Sequence, residues 1–71
     1  MKSVVYPLIA KYEFTPKRGD EKEVITELIA VYNDAEPAHT MGDWLVNSGD
    51  VEMEEGTYRY LEYEVRENLV I

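Results

Sequence analysis

Glu36, His39 and Asp43 are the residues whose types and spacing come nearest to a reactive constellation. Intervals of three and four place them on one face of a helix. A carboxylate and an imidazole at i, i+3 form half of a di-iron bundle site. Such a site needs a second half-motif, yet the chain has no other histidine and no cysteine. Acids near a helix start are also expected from the dipole alone. A small metal- or ligand-binding domain built on this trio is one reading, but no metal and no cofactor is expected. A serine triad would have to use His39 with Ser3 or Ser48, and nothing around them resembles a nucleophile elbow. The four glycines are scattered as turn punctuation, so there is no phosphate loop. A glycosidase pair is permitted by 15 acids but specified by none, and 71 residues leave little room for a sugar cleft. The chain reads as non-enzymatic.

The acids say more as a pattern. Against 15 of them stand 7 basic residues, for a formal charge of −8. Residues 1–42 carry −2 of this and residues 43–71 carry −6. Asp50, Glu52 and Glu54 alternate, with Glu55 beside them, and Glu62 and Glu64 alternate again. In a strand, alternate side chains on one face stand about 6.6–6.8 Å apart. That is about twice the 3.4 Å rise per phosphate along one DNA strand. Interleaved Tyr58, Tyr60 and Tyr63 add flat amphipathic surface. The pattern points to a basic partner protein, one that itself binds nucleic acid, with Asp50, Glu52, Glu54, Glu55, Glu62 and Glu64 supplying the field. Tyr58, Tyr60 and Trp44 would anchor it. Direct nucleic-acid binding is excluded, because a phosphate backbone would be repelled. The competing explanation is ordinary: alternating glutamates on a half-buried strand keep a small protein soluble.

Several elements must position these residues. Ser3–Thr15 alternates with period two, Val4, Tyr6, Leu8, Ala10, Tyr12 and Phe14 facing one way. That predicts a strand, with Pro7 favouring an edge position or a bulge. Pro16–Asp20 reads as the turn of a hairpin. Residues 21–32 fit a strand, favoured by Val24, Ile25, Ile29 and Val31. They also fit a helix with Asp20 and Glu23 as a capping pair. Asp34–Asn47 reads as a helix capped by Asn33 or Asp34, with Ala38, Met41, Trp44 and Leu45 on one side and Gly49 closing its end. Gly42 weakens it by about 1 kcal/mol; the rival places a short strand at Asp43–Val46. A short strand at Asp50–Met53, a turn at Glu54–Gly56 and a strand at Thr57–Arg66 follow, and Asn68–Ile71 extends along an edge.

The expected fold is α+β: a small antiparallel sheet in β-β-α-β order with one helix packed on one face, forming a single domain over residues 1–71. One helix leaves the other face open, and Ile9, Ile25, Ile29 and Val31 would make it apolar. A homodimer through that patch is the second reading, with the acidic surface then serving solubility. Oligomerisation also suits the size, since a core this small is marginal and there is no disulfide to staple it. No apolar run is long enough to span a membrane, and the start lacks a leader's apolar core. A cytoplasmic protein is expected. Small acidic cysteine-free chains are frequent among phage and mobile-element modulators of host proteins, an association that fold alone does not license.

Overall fold

The computed structural model describes residues 3–19 and 21–70; Asp20 and Ile71, invoked above for the hairpin turn and the C-terminal extension, lie outside the described residues. The elements run β1 (Ser3–Pro16), β2 (Glu23–Tyr32), α1 (Ala35–Asn47), β3 (Asp50–Glu52), β4 (Gly56–Val65) and β5 (Asn68–Val70). The class is α+β, but the order is β-β-α-β-β-β rather than β-β-α-β. The sheet is antiparallel, ordered β2-β1-β4-β3, with β5 pairing the first residues of β1. Within segment 21–32, Glu23–Tyr32 forms a strand, as its β-branched residues favour.

The long strand β1 is central, not an edge. Pro7 is tolerated there for a local reason. Its carbonyl accepts from the Arg66 amide at 3.1 Å, so its nitrogen faces the same flank. On that flank β4 pairing begins only at Leu8 and β5 pairing ends at Val5. The missing donor therefore falls in the gap between two ladders.

Two bulges set the faces. Leu8 pairs with Ala30 and Ile9 with Leu28, which leaves Ile29 as an extra residue in β2. Lys11 pairs with Glu62 and Tyr12 with Tyr60, which leaves Leu61 as an extra residue in β4. Each bulge shifts the alternation of its strand by one residue. The even-numbered residues of β1 face the helix, and Leu8, Ala10 and Tyr12 are buried there.

Helix α1 packs mainly on β4. It buries Ala38, Gly42 and Leu45, the i, i+4, i+7 stripe, while Met41 and Trp44 face outward. The expected stripe through Met41 and Trp44 is thus rotated. Gly42 explains the rotation: a Cβ there would collide with the Tyr63 ring. Close approach of helix to ring offsets the helix-propensity cost of glycine. Asp34 occupies the N-cap position in an extended conformation, with no side-chain hydrogen bond to the first turn. At the other end the Ser48 hydroxyl donates to the Trp44 carbonyl at 2.6 Å, satisfying a group the helix leaves free, and the Asn47 side chain adds a second bond at the Asp43 carbonyl, at 2.7 Å. Gly49 then turns the chain at φ 73°.

Candidate functional site

Cross-strand partners share a face, so the register assigns each charged residue to a side. Odd-numbered β1 residues point to the open side, away from the helix. Glu62 and Glu64 stand opposite Lys11 and Ile9 and are therefore on the open side. Arg59 and Thr57 stand opposite Glu13 and Thr15, and Asp50 and Glu52 pair with Arg59 and Thr57, so they join the same side. Tyr58 and Tyr60 stand opposite Phe14 and Tyr12, on the helix side. The Leu61 bulge thus separates tyrosines from glutamates that an unbroken strand would interleave. The same logic splits the apolar patch: Ile25 pairs with Tyr12 on the helix side, whereas Ile9 and Val31 are on the open side. Ile29 is the half-buried bulge residue. The open side gains Val24 and Leu28 instead, both more than half exposed.

The two sides hold their carboxylates differently. On the open side cations do it. Lys11 meets Glu62 at 3.8 Å, Lys22 meets Glu13 at 3.6 Å, Arg59 meets Asp50 at 4.0 Å and Arg66 meets Glu64 at 2.6 Å. Glu13, Asp50, Glu52, Glu62 and Glu64 against these four cations give that side a formal charge of −1. Each exposed pair contributes little stability, but together they cancel most of the local field.

On the helix side tyrosines do it. Tyr12 donates to Glu27 at 2.8 Å, Tyr58 to Glu55 at 2.9 Å and Tyr63 to Asp43 at 2.8 Å. Tyr6 donates to Glu67 at 3.4 Å. A phenol supplies a hydrogen bond without a positive charge, so the carboxylate keeps its field. The acceptors in turn hold the phenols protonated. The bond to Glu27, with burial, pushes Tyr12 up to about 12. The bonds to Glu55 and Asp43 push Tyr58 and Tyr63 up, and burial with the Glu67 charge raises Tyr6. Glu23, Glu27, Asp34, Glu36 and Asp43 lie on this side, a formal charge of −5 with no lysine or arginine among the described residues of the sheet face or helix. The remaining described cations, Lys17 and Arg18, share one end of the molecule with Glu54 and Glu55.

Trp44 stands in the middle of this side, 64% exposed. It is common to two open grooves. One is lined by Tyr6, Tyr32, Asp34, Pro37, Met41 and Trp44. The other is lined by Trp44, Leu45, Val51, Met53, Glu55 and Tyr58, with Tyr60 at its floor beside Tyr12, ring centroids 5.3 Å apart. Neither groove is lined by a cation. Of the residues singled out from the sequence as partner-binding, Trp44, Glu55, Tyr58 and Tyr60 come together here. Glu54 sits in the adjacent turn, and Asp50, Glu52, Glu62 and Glu64 are on the opposite side. Met41, Val51 and Met53 were not singled out. Their signal was that each is apolar, next to an acid or a glycine, and unclaimed by any strand-face pattern.

The trio Glu36, His39 and Asp43 is organised around one phenol. Tyr63 donates its only hydroxyl proton to Asp43, so the 3.2 Å contact with His39 requires His39 Nδ1 to be the donor. Two of the three candidate ligands are thus engaged with Tyr63. No group of three metal-ligating side chains converges among the described residues. No helix among them is long and apolar enough to cross a membrane. Compared with known protein families, curated proteins and solved structures, the chain matches none.

Proposed function

We propose that this is a small non-enzymatic interaction protein that docks a basic segment of a nucleic-acid-binding protein on its helix side and so competes with nucleic acid for that segment. The supporting observation is the exposed Trp44 shared by two grooves whose carboxylates, Asp34, Glu36 and Glu55, have no lysine or arginine in the same lining, Glu55 being held by the Tyr58 hydroxyl. Lysine or arginine arriving there meets an uncancelled field, which steers encounter. It also meets an indole face suited to a cation–π contact. Exposed Met41 and Met53 add adaptable apolar contact on either side.

Duplex mimicry through strand spacing is the other way to meet such a partner. It would use Asp50, Glu52, Glu62 and Glu64, which do share one face. Three of those four have a cation partner on the protein itself, so the helix side is the better candidate. The test is a titration of a captured basic partner at low and high salt, with nucleic acid as competitor. Affinity should fall steeply with salt and nucleic acid should be displaced. A salt-independent affinity, or an unaltered affinity in Trp44→Ala, removes this function.

A further inference from the structure

The structure carries more surface than a free monomer of its size. Its accessible area is 5475 Å², whereas a compact 8.3 kDa chain should expose about 4,600 Å². Its radius of gyration is 14.3 Å against about 11 Å for a compact domain of this length. The excess, roughly 900 Å², is close to one partner's share of a standard interface, about 800 Å². Among the described residues, only one large side chain, Leu8, is fully buried.

We propose that a second copy of this chain pairs with the outer edge of β2, antiparallel and centred on Thr26, joining two sheets into one. β2 ends the sheet order, so nothing among the described residues pairs with its outer edge. The exposed side chains Val24 and Leu28 lie along it, at 56% and 55% exposure. Packing the open faces against each other would bury Lys11, Arg59 and their carboxylates, at a high desolvation cost. Edge pairing leaves those charges in water.

Charge selects the register. Glu23 and Glu27 share the helix-side face of β2. A two-fold axis at Ile25 would set Glu23 opposite the second copy's Glu27, and an axis at Glu27 would set that residue against itself. Like charges directly opposite are unfavourable. An axis at Thr26 avoids both: Val24 faces the second copy's Leu28, Ile25 faces Glu27, and Thr26 faces Thr26. This stretch is also the regular part of β2, before the Ile29 bulge. Glu27, the charge best placed to guard the edge, is bonded to the Tyr12 hydroxyl of its own sheet.

The chain has no cysteine, so a single introduced thiol reports the geometry. Directly opposed residues have Cα atoms about 4.5–5.5 Å apart, within disulfide range. Thr26→Cys should oxidise to a covalent dimer at least about tenfold faster than Lys17→Cys in the distant loop, as expected for an intra-complex reaction. Sedimentation of the unaltered protein should show a dimer. Val24→Lys should weaken it, and adding Leu28→Glu should restore it, because the new charges then face each other across the axis. A strict monomer up to about 1 mM overturns the proposal, whatever foreign strand the edge then binds. So does a dimer in which Thr26→Cys oxidises no faster than Lys17→Cys. Circular dichroism of each variant shows that a lost dimer is not a lost fold.

Discussion

The open face and the helix side carry similar numbers of carboxylates and differ in what holds them. Lys11, Lys22, Arg59 and Arg66 sit beside the open-face acids; Tyr12, Tyr58 and Tyr63 donate to acids on the helix side. An ion pair and a phenol bond both orient a carboxylate, but only the ion pair cancels its charge. Counting acids along a sequence therefore misplaces the field. What matters is the formal charge of the partner, and that is a property of register.

The largest effect tests what the two sides share. Leu8 is fully buried beneath the helix, so Leu8→Ala should cost about 2–5 kcal/mol and lower the melting temperature by ten degrees or more. A shift of only a degree or two would mean the helix does not depend on this sheet contact, and the two sides would not be one rigid body. Next is Trp44→Ala. As a central aromatic anchor it should weaken partner binding by about 30-fold, roughly 2 kcal/mol, with thermal stability unchanged.

Charge reversal then sets the sides against each other. Glu36→Lys should weaken binding by about tenfold and flatten its salt dependence, while Glu62→Lys should change affinity by about twofold or less. Equal effects would erase the distinction. Tyr12→Phe should cost about 1 kcal/mol for the bond to Glu27. The same bond predicts a pH response. Unfolded Tyr12 releases its proton near pH 10 and folded Tyr12 near 12. Between those values the unfolded chain binds fewer protons, so stability falls as pH rises through that window, and the full contribution is present below it. Denaturant titrations across pH 9–12 should show this fall in the parent and a smaller one in Tyr12→Phe. The smallest effect is Lys11→Ala, within about 0.5 kcal/mol in the same denaturation assay.

Local rules made most elements legible. The alternation of Ser3–Thr15 and the glycine at position 49 appear in the structure where their chemistry places them, and the helix starts after Asp34 as expected but without the side-chain capping bond. Strand order was not legible, because β1 pairs with β4 across separations that run from Pro16–Gly56 to Leu8–Val65, and no local pattern encodes that choice. The candidate site was half legible. Trp44, Glu55, Tyr58 and Tyr60 do gather, but an unbroken period of two through Thr57–Arg66 would put Glu62 and Glu64 on the same side, and the register puts them on the other. The break is visible in retrospect. Tyr58 and Tyr60 are even-numbered, Tyr63 and Val65 odd, and all four face the helix, so the phase slips at Leu61. In β2 the run Leu28-Ile29-Ala30-Val31 is apolar at every position, which hides its slip completely.

Leu61 also governs how this protein could change. Taking that one residue into a regular ladder, with residues 62–65 held in place, would turn residues 56–60 over, whereas deleting it would leave every remaining residue of β4 on its present side. On such a slip Tyr58 would leave the aromatic cluster for the side now occupied by Arg59, and Arg59 would turn toward the groove beside Trp44. A slip of one residue thus separates two surfaces of opposite chemistry, and the bulge at Leu61 holds the present one in place.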